Sequence, residues 1–205
     1  YQTKSTLLFS NKLALQHTLN MPRTNQGMTL LELLSTLTIV SILAVLATPS
    51  LYGAYLSNQS TANINKLTSL VRLARSTAIT TQTTSQICPT LDGLSCQHNW
   101  HSGVMVFVDQ NNNGKKENQE ALVFFQSPFI SDGTLQWLSL KDQIRFSAQG
   151  FPRGTIGSFI YCPNNKDEKF GRSLSLSFQG KLRAGTDSNN DHIVERIRGK
   201  NIACR

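Results

Sequence analysis

An α+β fold, with one long N-terminal helix set against an antiparallel β-sheet head, is predicted by three features of the sequence. Residues 28–48 read MTLLELLSTLTIVSILAVLAT, a run in which fourteen of 21 residues are apolar. Behind it a helical apolar period continues to about Thr81. Beyond Thr81 the chain breaks into short apolar or alternating segments separated by turn residues. A length of 205 residues suits one domain with an appendage, and a hydrophobic content of 39% is too high for a disordered chain.

The apolar run comes first. At about 1.5 Å rise per residue it spans the hydrocarbon core of a bilayer, and globular helices rarely hold so long an apolar stretch. Before it stand Lys4, Lys12 and Arg23, with no acid among the first 27 residues. The positive-inside rule therefore places the N-terminus in the cytoplasm and everything after Thr48 across the membrane. Pro49 directly after Thr48 disfavours signal-peptide cleavage there, so the segment is expected to stay on. Glu32 is the anomaly. A carboxylate within a span costs about 2.5–3.5 kcal/mol on insertion scales and is read as functional by default.

The amphipathic continuation, 49–81, places Leu51, Tyr55, Ile64, Leu67, Val71, Ala74, Ala78 and Ile79 at helical steps, with Arg72 and Arg75 among them. One helix from about Met28 to about Thr81 is expected, bent near Pro49 and Gly53.

The head occupies 82–205. Strands are expected at 104–109, 121–126, 143–147, 158–162 and 173–177, with a further one at 193–197. The turns between them are NNNG, SDG, AQGFPRG, PNNKDE and DSNND. No internal repeat or low-complexity segment interrupts this region.

Gly27-Met28-Thr29-Leu30-Leu31-Glu32, behind a basic flank and ahead of the apolar run, resembles the class III signal of type IV pilins and pseudopilins. The resemblance implies that a prepilin peptidase cuts between Gly27 and Met28 and N-methylates Met28. It implies that Glu32 pairs with the N-terminal amine of a neighbouring subunit during assembly, and that Pro49 is the kink of a pilin helix. Residues 1–27 are then a removed leader. Met21 opens MPRTNQG, a short basic leader of the usual kind, so residues 1–20 are expected to be an upstream extension or dispensable. A buried charge pair that is relieved only when both partners are present would act as a check on axial register.

In the head, Trp100, Gly103, Phe107, Asp109, Asn111 and Gly114 form W-x-x-G-x-x-x-F-x-D-x-N-x-x-G, followed by Glu120 and an apolar strand. This resembles FimT/FimU-type minor pilins and the H-type pseudopilins of type II secretion, the GspH/FimT family. The resemblance implies the type IV pilin fold and a priming or capping role in a type IV pilus, with the H-type pseudopilin as the alternative. The implied partners are other major and minor pilins, prepilin peptidase and the inner membrane. From there the subunit would pass into a pilus or pseudopilus.

Asp109, Asn111, Asn113, Gly114 and Glu120 also fit the calcium-loop pattern D-x-[DN]-x-[DN]-G-x5-E. The match is weak in context, because strands rather than helices flank it and Lys115 and Lys116 oppose a cation. A self-satisfied hairpin turn is expected, with no metal and no cofactor. Four cysteines allow three pairings. Cys88 and Cys96 bracket a short loop that closes easily, and Cys162 is then left for Cys204. A C-terminal disulfide of that kind is familiar in minor pilins.

The net charge of +8 suggests an acidic partner such as nucleic acid or anionic lipid without locating it. Removing the leader takes three of the basic residues with it. The densest remaining cluster is C-terminal: Arg196, Arg198, Lys200 and Arg205, with Gly180-Lys181-Leu182-Arg183 upstream. The latter resembles the G-R-x-R motif by which some FimT proteins capture DNA for natural transformation, with Lys181 in place of the first arginine. The resemblance implies double-stranded DNA as a partner, and Gly180, Lys181, Arg183, Arg196, Arg198 and Lys200 could make one phosphate-binding surface. The bland alternative is a solvated face. No nucleotide loop, G-x-S-x-G or H-E-x-x-H is present, so no enzyme is expected.

Overall fold

The computed structural model describes residues 27–196 and 199–204. These residues divide into two units, with the boundary between Ala44 and Val45. A single helix, α1 (Leu30–Thr81), crosses that division and contains Pro49.

Helix α1 starts where the sequence supplies a cap. The Thr29 hydroxyl accepts from the Glu32 amide at 3.2 Å, and Glu32 adds an acid to the first turn, where the helix dipole favours it. The hydroxyls inside the apolar run are satisfied within the helix. Ser35, Thr36, Thr38 and Ser41 each donate to a carbonyl three or four residues back, at 2.7–2.9 Å. A hydroxyl satisfied in this way needs no water, which suits the segment to an apolar surrounding. Every residue from Gly27 to Tyr52 is exposed. By length and composition this helix can cross a membrane.

In the second unit α1 buries one stripe: Leu56, Ser60, Ile64, Leu67, Leu70, Val71, Ala74, Thr77 and Ala78. The expected period is present from Ile64 onward, but Leu51, Tyr55 and Ile79 are exposed. The buried stripe enters at Leu56, one position after the expected Tyr55. At that end the helix meets the head through small residues. Gly53 faces the Phe170 ring, and the Arg172 guanidinium donates to the Ser57 hydroxyl at 3.0 Å.

The head contains β1 (Thr84–Pro89), β2 (Val104–Asp109), β3 (Leu122–Gln126), β4 (Gly133–Leu138), β5 (Ile144–Phe146), β6 (Gly157–Pro163), β7 (Arg172–Leu176), β8 (Leu182–Ala184), β9 (Glu195–Arg196) and β10 (Lys200–Asn201). The strands form two antiparallel four-stranded sheets, β3-β2-β1-β5 and β4-β6-β7-β8, plus the β9–β10 ribbon, rather than one sheet. Of the strand expected at 193–197, Glu195 and Arg196 form β9, and Ile197 lies outside the described residues.

Both sheets share one core with α1. Ile87, Val104, Val106 and Ile144 from the first sheet join Leu135, Phe159, Tyr161, Leu174 and Leu176 from the second. These pack with Ile64, Leu67, Leu70, Val71, Ala74 and Ala78 of the helix. Strands β1 and β2 are buried along their whole length, which explains the continuous run VMVFV. Their far side, Cys88, Met105 and Phe107, lies under Cys96 of the following loop.

The second sheet is covered on its outer face as well. Ile160 and Cys162 pack with Ile202, flanked by Ile193, Val194 and Cys204. The tail therefore closes a small second core. Disulfides join Cys88 to Cys96 and Cys162 to Cys204. The second staples this tail, and the Cys204 amide also donates to Glu168 Oε1 at 3.1 Å.

Candidate assembly segment and basic surface

Gly27, Met28 and Glu32 sit on the exposed start of α1. A side chain at Gly27 would meet nothing within 4 Å. The fold therefore gives no steric reason for glycine there, as expected if another protein reads that position. Among the described residues the Glu32 carboxylate has no ion-pair partner and accepts no hydrogen bond, so it stands free beside exposed Leu30, Leu31, Leu33 and Leu34. An apolar face of this size requires lipid or other helices to cover it.

The cations expected to form the basic surface fall into two groups. Lys181 directly precedes edge strand β8, which carries Leu182 and Arg183, and these three with Val71, Arg72, Arg75 and Gly180 line a cavity of about 330 Å3. Four of these seven lining residues are cations and none is an acid, so the cavity has a positive lining. Its frame is specific. The Arg75 guanidinium donates to the Gly180 carbonyl at 3.0 Å, and a tight turn links Gly180 N to the Ser177 carbonyl at 2.9 Å. Gly180 has φ of 75°, and a Cβ there would stand 3.1 Å from the Arg75 guanidinium.

Arg196 and Lys200 are directly opposite on the β9–β10 ribbon. They line a different cavity of about 520 Å3, floored by Leu138, Leu140, Ile156 and Ser158. The surface expected as one is thus two cavities. Arg183 connects them, because Ser158, Ser175 and Arg183 form one cross-strand row. Arg198 lies outside the described residues. The helix arginines were absent from the sequence-based set. Their signal was their position, Arg72 next to Val71 and Arg75 next to Ala74, at the margin of the buried stripe.

In the β2–β3 loop, Asp109 is fully buried, and burial pushes its carboxyl above the usual carboxylate range, opposed by a hydrogen bond from the Gly114 amide. Asn111 and Asn113 accept from the amides two residues on, at 3.0 and 2.7 Å. Glu120 has both oxygens on backbone, taking the Gln110 amide at 2.9 Å and the Glu117 amide at 3.1 Å. It clasps the loop base and is not placed as the twelfth ligand of a calcium loop. Among the described residues no three His, Cys, Asp or Glu side chains gather as a metal site.

An exposed apolar helix with one free carboxylate, continuing into a helix-backed β head, defines a pilin-like structural subunit. Residues 63–180 match the family model of the type II transport protein GspH, and residues 22–48 match the prokaryotic N-terminal methylation motif. The chain belongs to the GspH family. Two crystal structures of the type IV minor pilin FimU from Pseudomonas aeruginosa strain PAO1 are similar. One is 22% identical with a TM-score of 0.49, covering 62% of this chain and 87% of that one. The other is 21% identical with a TM-score of 0.47, covering 62% and 92%. Among curated protein sequences no relative matches.

Proposed function

We propose that this chain is a minor pilin of a type IV pilus that helps initiate or cap the filament. It is inserted with its N-terminus in the cytoplasm and its head across the inner membrane. Cleavage between Gly27 and Met28 and methylation of Met28 leave 28–48 as the membrane and assembly helix, 49–81 as its amphipathic continuation and 82–205 as the head. The observation that carries this reading is Glu32, without a partner among the described residues, on an exposed apolar helix within the methylation motif. In the mature protein it lies four residues from a new N-terminal amine. A neighbouring subunit's amine would neutralise it inside the bilayer, and only a correctly aligned neighbour could do so. Intact-mass and peptide analysis of the protein from cells with an active prepilin peptidase tests the processing. The expected mature chain begins with N-methylated Met28, and a chain retaining Gly27 would refute it.

The family description itself favours a second reading, an H-type pseudopilin of a type II secretion system. A deletion strain separates the two, since loss of piliation with normal protein secretion supports the pilus and the reverse supports secretion. The cation-lined cavity formed by Arg72, Arg75, Lys181 and Arg183 supports DNA capture by the same subunit. Such binding would be sequence-independent and steeply salt-dependent. A gel shift with a fragment spanning 53–205 should show binding at low salt that Lys181→Glu with Arg183→Glu abolishes. Unchanged binding would remove the DNA role.

A further inference from the structure

The β2–β3 loop carries a feature that a self-satisfied turn would lack. Asp109 is fully buried at the end of β2, and only one of its carboxylate oxygens is engaged. Oδ2 accepts from the Gly114 amide at 3.1 Å, whereas Oδ1 is buried with no partner. Among the described residues no Lys, Arg or His nitrogen lies within 4 Å of that carboxylate. The Arg145 guanidinium packs beside Gly114 and acts on Asp109 through its field. A buried, ionisable oxygen without donor or counter-ion is costly unless something positive is meant to fill the place.

The loop is also shaped around that oxygen. Gly114, with φ of 75°, turns the chain sharply at the sixth position counted from Asp109. The Gly114 amide reaches back to Asp109, so the carboxylate lies inside the loop's curl. The Asn111 side chain accepts from the Asn113 amide, and the Asn113 side chain accepts from the Lys115 amide. The Asn113 amide nitrogen donates to Glu117 Oε1 at 2.7 Å. Glu120 closes the base through two backbone amides, and the Gln86 side chain donates to the Gly114 carbonyl at 3.0 Å from beneath. Asn111, Asn113 and Glu117 of the same loop are exposed to solvent.

We propose that this hairpin loop binds one calcium ion. Asp109 Oδ1, Asn111 Oδ1, Asn113 Oδ1, the Lys115 carbonyl and the Glu117 carboxylate are the ligands, and water completes the shell. These are positions one, three, five, seven and nine of the ligand spacing used by calcium loops, and Gly114 holds the obligatory glycine place. The hairpin context replaces the twelfth ligand with a clasp, because Glu120 is buried with both oxygens on backbone amides, whereas Asn111, Asn113 and Glu117 are exposed. All donors are oxygen, three of them neutral, which suits a large, geometrically tolerant cation. A transition metal would want nitrogen or sulfur, and magnesium holds its waters and demands a near-ideal octahedron. The two lysines do not block the site. Lys115 contributes through its carbonyl while its side chain is exposed, and the Lys116 ammonium is engaged with the Glu117 carbonyl at 3.1 Å. With only two carboxylates the affinity belongs in the weak range of extracellular modules, roughly 10⁻⁴–10⁻³ M.

Calorimetric titration and thermal unfolding of the full chain in detergent test this, with calcium raised to about 10 mM, roughly ten times the weak end of that range. The expected result is one saturable calcium site per chain and a rise in melting temperature that magnesium at the same concentration does not reproduce. Asp109→Asn, which keeps the shape, should abolish both effects. Should that variant fail to fold, Glu117→Gln and Asn113→Ala decide, since both alter exposed side chains, and each should weaken calcium binding about tenfold or more. Absence of any calcium effect in the wild-type chain overturns the proposal. So does an equal response to magnesium, or binding undiminished in the folded variants.

Discussion

Replacing Cys162 and Cys204 together by alanine should destabilise the head by about 4 kcal/mol, against about 2.5 kcal/mol for Cys88 and Cys96. The difference follows from the chain each bond closes, a sequence separation of 42 in the first case and 8 in the second. A crosslink restricts the unfolded chain more when the loop is longer. Packing adds to the contrast. The long bond holds the tail across the outer face of the second sheet, where Ile202 is 2% exposed over Ile160. Releasing the tail bares that face and frees the ribbon that positions Arg196 and Lys200. Urea unfolding of a fragment spanning 53–205, followed by tryptophan fluorescence, measures both. For a domain of this size the losses correspond to about 8–16 °C and about 5–10 °C in melting temperature. The reasoning is refuted if removing the Cys162–Cys204 bond costs no more than removing the shorter one.

Three further outcomes are expected. Leu67→Ala, at a side chain 1% exposed between helix and sheets, should cost about 2–5 kcal/mol in the same unfolding experiment. Glu120→Ala leaves the amides of Gln110 and Glu117 without their acceptor and should cost about 1–3 kcal/mol for each amide that stays buried, with faster hydrogen exchange confined to the β2–β3 loop. Gly180→Ala forces an L-residue into a left-handed conformation against Arg75 and should cost about 1–2 kcal/mol, while also loosening the cation-lined cavity. A gel shift on that variant should show weaker DNA binding although no charge has changed.

The N-terminal half was the most legible part of the chain, because its chemistry is local. The apolar run, the Thr29 cap and the position of Glu32 lie within a few residues of one another, and no distant contact is needed to place them. The helical period was legible from Ile64 onward, where Leu67, Val71, Ala74 and Ala78 meet a core. At Leu51 and Tyr55 apolar character alone did not show which side would be covered, and both are exposed. Strand β2 was read without error as a continuous apolar run. Strand β1 was missed because TSQICP mixes polar and apolar residues, although all six are buried between the helix core and the disulfide loop. Its Gln86 side-chain nitrogen donates to partners 28 and 57 residues away, Gly114 and Gln143, which no local pattern displays. The division into two sheets was equally hidden, since it depends on which strands pair. The basic surface showed the same limit. Lys181 and Arg183 were visible as a motif, but their partners Arg72 and Arg75 come from more than 100 positions earlier in the chain. In the β2–β3 loop the spacing of oxygens was visible, whereas the orphaned Asp109 oxygen could only be found in three dimensions.

The central claim is that Glu32 is an assembly carboxylate rather than only a helix-start acid. Its contribution to helix α1 is small, about 0.3–1 kcal/mol for an acid in the first turn, so losing the charge should leave insertion and folding intact. The most direct measurement is the amount of processed subunit in sheared filaments from cells carrying Glu32→Ala or Glu32→Gln, normalised to the processed subunit in their membranes. Both variants are expected to be cleaved after Gly27 and to accumulate in the membrane, yet to be absent from filaments. Wild-type incorporation of either variant would contradict the account.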